Sequence, residues 1–273
     1  MSFTVNSSTN SGPSTAGLAR SQQAIEQSLR RLATGKRINS AADDAAGLAV
    51  AQELLGSEQS YSVAGRNAIQ GTSKLQIADG ALAGQEEGLL RLRELTVQSA
   101  NDTLSDADRQ AIQTEANGVV SELDRTAKET EYNGAPLLTG QNTSDFQVGT
   151  GSGPESRVSV TINASTSNAL GVSGLDLSTQ GAATGSLDSI DAAIASVSQN
   201  RAGIGAAVGR LKSAYATAQT SFENAARGRS AIEDTDTAAE ASDLALNNIA
   251  RQAGVAVQAQ SQQSRSSVLR LLG

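Results

Sequence analysis

The chain has 273 residues, no cysteine, no histidine and a formal net charge of −7. Disulfides, thiolate nucleophiles, zinc–thiolate sites and histidine acid–base chemistry are thereby excluded, and nucleic acid or an anionic membrane surface, both of which select a basic footprint, is disfavoured. Three Phe, three Tyr and no Trp leave little aromatic volume for a globular core, so a chain rich in Ala, Leu, Ile and Val is expected to bury its surface along helix-to-helix seams.

Residues 1–20 lack the charged start and apolar centre of a conventional secretory signal, and no apolar run approaches the length that spans a bilayer. Leu18, Ile25, Leu29 and Leu32 then form a thin apolar stripe. A long helix follows from about Ala45 to Ser99, because Leu54, Tyr61, Ala68, Leu75, Leu82 and Leu89 recur every seven residues. At 1.5 Å per residue it extends roughly 80 Å. Three residues after each of the first four stand Ser57, Ala64, Gly71 and Ala78, all small, which allows a partner helix to approach closely. Gly56, Gly65, Gly71, Gly80, Gly84 and Gly88 lie in the same helix. Each costs up to about 1 kcal/mol against alanine, so the helix is expected to depend on its neighbours.

A third helix is predicted over residues 107–128, opened by the cap-like Ser105-Asp106-Ala107-Asp108 and stopped at Tyr132-Asn133-Gly134. The centre, about 134–186, is rich in Gly, Ser, Thr and Asn. Within it Phe146-Gln147-Val148 and Val158-Ser159-Val160-Thr161-Ile162 flank a turn-rich piece, which predicts a β-hairpin. Beyond it Ile190, Ile194, Val197, Arg201, Ile204, Val208, Leu211, Tyr215, Ala218, Phe222 and Ala225 alternate in steps of four and three. Only Arg201 interrupts this apolar coiled-coil seam. A last stripe comprises Leu244, Ile249, Ala253, Ala256, Val268, Leu269, Leu271 and Leu272. The expected fold is mainly α: long antiparallel helices in a coiled-coil-like rod formed by both termini, with a small β-hairpin region in the middle. The terminal stripes are too thin to be cores alone, and copies of the same chain are their simplest partners.

Several blocks resemble those of bacterial flagellins. Residues 31–49, containing Arg37, Ile38, Asn39, Asp43, Asp44 and Gly47, are similar to the family block R-L-S-S-G-x-R-I-N-S-A-x-D-D-A-A-G-x-A. Residues 92–101 resemble R-E-L-A-V-Q-S-A-N, residues 131–134 the F-N-G turn, residues 229–236 R-S-R-I-E-D-S-D, and residues 268–272 the V-L-x-L-L ending. Departures are Asn10-Ser11-Gly12-Pro13 where apolar residues are usual, Thr237 in place of a tyrosine and Arg265 in place of a proline.

The resemblance implies a short, near-minimal filament subunit that catalyses nothing and needs no cofactor. Residues 1–44 and 232–273 would form the filament's inner tube, using Leu18, Ile25, Leu29, Leu32, Leu244, Ile249, Ala253, Val268, Leu269, Leu271 and Leu272. Residues 45–231 would form the outer rod with the hairpin at its tip and the seam Leu54, Tyr61, Leu75, Leu82, Leu89, Ile194, Val197, Ile204, Val208, Leu211, Tyr215 and Phe222. The implied partners are further copies, hook-associated junction and cap proteins, an export chaperone and the flagellar type III export apparatus, with no nucleic acid and no membrane insertion. The implied location is the extracellular filament. A surface for the vertebrate Toll-like receptor would map by motif to Arg91, Leu95, Gln98 and Glu115. A hook–filament junction protein shares such termini, but the 43–47 and 93–101 blocks both favour flagellin proper. A coiled-coil adaptor or adhesin would explain the heptads and not the ordered blocks.

Overall fold

The computed structural model describes residues 12–272, without the side chains of 12–14, 265 and 268–272. Helix α1 spans Gly12–Thr34, α2 Ala45–Ser99, α3 Asp106–Glu129, α4 Gln180–Glu233 and α5 Thr237–Leu272. Between α3 and α4 lie β1 (Glu131–Tyr132), β2 (Ala135–Pro136), β3 (Asn142–Gln147) and β4 (Arg157–Ile162). The chain divides into two compact units, Met1–Gly56 with Asn224–Gly273, and Ser57–Glu223.

In the second unit α2 and α4 run antiparallel. Arg93 bonds Asp191 at 2.7 Å, Arg201 bonds Asp79 at 3.1 Å and also Glu86, and Gly71 lies against Leu211. The seven-residue rhythm is what permits this: Leu75, Leu82 and Leu89 on α2 and Ile190, Val197, Ile204 and Leu211 on α4 are all buried. Tyr61, Ile194, Val208 and Phe222 are half-buried, and Tyr215 is 41% exposed. The buried face of α4 is turned toward Ala193, Asn200 and Ala207, which the four-three pattern did not include. Its cause is the segment after β4, which covers that side and holds Asn200 through Asn163 at 2.9 Å.

Helix α3 packs on another side of α2. Ser105 and Asp108 form a capping box at its start. Gln85, buried in α2, donates to the carbonyls of Leu123 and Ser165 and accepts from the Ser165 hydroxyl, joining three segments. Arg109 is buried and donates to the carbonyls of Ser99, Asn101 and Leu104, satisfying backbone acceptors where α2 ends.

Asn133 and Gly134, with φ of 52° and 74°, make the tight turn between β1 and β2. Strands β3 and β4 pair antiparallel with Phe146 opposite Val158. Val158, Val160 and Ile162 alternate inward and are buried. That apolar face needs a helical groove, so the hairpin is not at a tip: it lies beside Asn67, Gly71 and Lys74 of α2, well before the end of that helix. The turn-rich centre also supplies core. Leu137, Leu138, Leu170, Val172 and Leu177 are buried. Asp124 accepts from the Ser167 amide at 2.7 Å, and Gln113 accepts from the Leu177 amide at 2.5 Å.

In the first unit α1 and α5 are antiparallel, with Arg31 bonding Glu240 at 3.4 Å and Leu18 close to Gly254. Leu54 of α2 approaches Gly228 of α4 in the same unit.

Candidate assembly surface

Both long helical tracts of the first unit are interrupted, and the two interruptions are bonded to each other. Gly35 leaves α1 with φ +71°, a conformation that favours glycine. Its carbonyl accepts from the Thr235 amide at 3.0 Å, and the Arg37 amide donates to the Glu233 carbonyl at 2.6 Å. Lys36 pairs with Glu233 at 2.5 Å, and Arg229 holds the other carboxylate oxygen at 3.2 Å. The Lys36 ammonium keeps the Glu233 carboxyl below its usual value, although burial opposes this.

The flagellin-like block of residues 31–49 thus acquires roles. Arg37 donates to the Ile232 carbonyl at 2.6 Å. Ile38 is buried beneath the elbow. Asn39 bonds the Lys36 carbonyl at 2.9 Å. Asp43 accepts from the Asn39 amide, the Ser40 hydroxyl and the Ser40 amide, which together lower its pKa. Asp44 caps α2 by accepting from the Gly47 amide at 2.8 Å. A Cβ on Gly47 would fall 2.4 Å from that same carboxylate and 2.8 Å from Ile38, so a side chain there would have to displace the cap or Ile38. On the opposite strand Asp236 caps α5 through the amides of Ala238 and Ala239.

The α1–α5 pair is asymmetric. From α1, Ile25 is buried and Leu18 and Leu32 are half-buried, while Leu29 is exposed. On α5 the positions withdrawn from solvent are Glu240, Leu244, Asn247, Asn248, Arg251, Gly254 and Gln258, mostly polar or small. Its apolar face points away: Leu246 and Ile249 are each 63% exposed, and Ala250, Ala253, Ala256 and Val257 are exposed with them. Leu244 and Ile249 therefore lie on different faces. The side chains of Val268, Leu269, Leu271 and Leu272 lie outside the described residues.

In the second unit Arg91 bonds Glu115 at 2.6 Å and Glu94 at 2.5 Å, and Gln98 is exposed. Leu95 does not share that surface. It is 1% exposed and belongs to the core with Leu92, because its side of α2 faces inward. Among the described residues no helix is long and apolar enough to cross a membrane.

Residues 5–143 match the family model of the bacterial flagellin N-terminal helical region, and residues 187–272 that of the C-terminal helical region. The flagellar filament 33 kDa core protein of Treponema phagedenis is 33% identical over 270 residues, covering 93% of this chain and 94% of that protein. A flagellin of Halalkalibacterium halodurans is 33% identical over 248 residues, 90% of this chain and 91% of that one. Among solved structures, Bacillus cereus flagellin aligns with a TM-score of 0.50 and 26% identity over 56% of this chain and 88% of its own. Paired helical termini, a bonded double elbow and these matches across nearly the whole length have one reading: the chain belongs to the bacterial flagellin family.

Proposed function

We propose that this chain polymerises by burying the outward apolar face of α5 between neighbouring copies. As a flagellin it is a structural subunit that assembles with itself into the flagellar filament, and the family is not enzymatic. The observation that carries the finer reading is the inverted polarity of α5, which turns Asn247, Asn248, Arg251 and Gln258 inward and leaves Leu246, Ile249 and Val257 uncovered. An apolar face of this kind is stabilised by association with a similar face.

On this reading residues 1–44 and 232–273 make the inner tube, 45–231 the surrounding helical domain, and the double elbow fixes where one gives way to the other. Export through the flagellar type III apparatus without a cleaved signal, with an export chaperone, and docking to hook-associated junction and cap proteins complete the reading. Thin helical seams without a large aromatic core suit a chain threaded unfolded. The Arg91–Glu115 pair with Gln98 remains the surface offered to a Toll-like receptor, without Leu95.

Seeded elongation on short filament pieces tests the central claim. Leu246→Asp with Ile249→Asp should leave the monomer's melting unchanged, since both sites are exposed, and abolish elongation. A chain of residues 45–231 should be helical, soluble and monomeric. Normal elongation by the double variant, or filaments from the truncated chain, would refute the assignment.

A further inference from the structure

Lys74 sits on α2 in a cleft of about 510 Å³, lined also by Asn67, Gln70, Tyr132, Ser144 and Phe146. Its ammonium donates to the Ser144 hydroxyl at 2.7 Å. Among the described residues no carboxylate forms an ion pair with it. Asp145 lines the same cleft but bonds Ser159 on the outer face of the hairpin at 2.5 Å. Burial pushes the Lys74 ammonium below its ordinary value. A half-buried cation with one neutral acceptor is an incomplete arrangement, and an opposing carboxylate completes it.

Charge in the second unit is unevenly placed. Residues 79–131 account for the whole formal net charge of −7, and the rest of the chain is balanced. Arg66 lies two turns before Lys74 on α2, and Arg157 on β4 stands opposite Gln147, which lines the cleft. Among the described residues Arg66 and Arg157 bond neutral side chains, Ser62 and Gln147. Where α2 gives way to α3, Asp108 in the first turn of α3 is committed to the capping box, whereas Asp102 and Asp106 are exposed and make no ion pair among the described residues. Cations at one level of α2 and carboxylates at its end place opposite charges on two different surfaces. Such a contact is head-to-tail, the kind that propagates into open helical polymers.

We propose that the Lys74 cleft receives a carboxylate from a second copy of the chain, supplied by Asp102 of the α2–α3 turn and Asp106 at the start of α3. This rests on the self-polymerising reading above and adds a contact formed by the second unit. It cannot form within one chain, because the 25 helical residues from Lys74 to Ser99 span roughly 38 Å.

Charge reversal and cross-linking test it in the full-length chain. Lys74→Glu is expected to slow seeded elongation about ten-fold, as is the pair Asp102→Lys and Asp106→Lys, and combining all three is expected to restore it. The chain has no native cysteine, so oxidised filaments of a Lys74→Cys, Asp102→Cys variant should run as a ladder of covalent oligomers on a non-reducing gel, while its monomer stays single. Circular dichroism confirms that each variant is folded. Filaments without a ladder, or a triple variant as slow as its parents, overturn the proposal while the native chain still elongates seeds. A native chain that never elongates seeds overturns the filament reading and this contact with it.

Discussion

Gly71 faces the ring of Phe146 so closely that a Cβ would fall 2.8 Å from its Cδ1 and 3.1 Å from Leu211. The glycine weakens α2 locally but lets the hairpin and α4 close on it together. Gly71→Ala gains helix propensity of up to about 1 kcal/mol and meets an overpacking cost of about 1–3 kcal/mol. Net destabilisation is expected, read as a lower midpoint in urea unfolding.

Gly80 and Gly84 should behave oppositely. Both are exposed on α2, and a Cβ at either would meet nothing within 4 Å. Alanine at each is expected to stabilise by about 0.5–1 kcal/mol, visible as a higher melting temperature. Destabilisation at both would mean that these positions are not open in solution.

The sign of such changes could not be read from the sequence, where all seven glycines of α2 look alike. What was legible is the part that repeats. Leu75, Leu82 and Leu89 placed the buried line of α2, and the helix runs from Ala45 to Ser99 as the pattern indicated. Residues buried for polar reasons were not legible. Gln85, Ser99 and Arg109 give no apolar signal in the sequence, and their burial depends on carbonyls of Leu123, Ser165, Leu177 and Leu104 that carry no side-chain signature. In the candidate site, Arg37 and Asp43 stood out as a pattern. The carbonyl that Arg37 holds belongs to Ile232, on the far side of the sequence. The terminal stripe gathered Leu244 with Ile249 and Ala253, though helix geometry turns the first toward α1 and the others to solvent.

Acid should loosen the elbow through Glu233. Its folded pKa is depressed, chiefly by Lys36, so its contribution is fully present above the unfolded glutamate value of about 4.3. It is lost as pH falls through the lower folded value. Lys36 is partly exposed, which limits the effect to about 1 kcal/mol. Glu233→Gln should therefore be less stable than the native chain at pH 7, with the gap in melting temperature closing below pH ~4. A gap independent of pH would rule the ion pair out as its source.

Leu75→Asp and Leu211→Asp test the seam. Both leucines are fully buried, and each change removes apolar contact while burying an unpaired carboxylate, at a cost of about 3–5 kcal/mol. Thermal melts followed by circular dichroism should drop by many degrees. An unchanged transition in both would show that the residues do not face the seam.

A heptad seam taken alone is degenerate. Slide α4 by seven residues along α2, about 10.5 Å, and one apolar side chain again meets another. Three features that each occur once remove that freedom: Arg201 reaches both Asp79 and Glu86, Arg93 reaches Asp191, and Leu211 lies against Gly71. Shear along the helix axes must break all three before the apolar side chains find their next match, so the helix pair resists lengthwise slip at discrete points while its smooth seam supplies the adhesion.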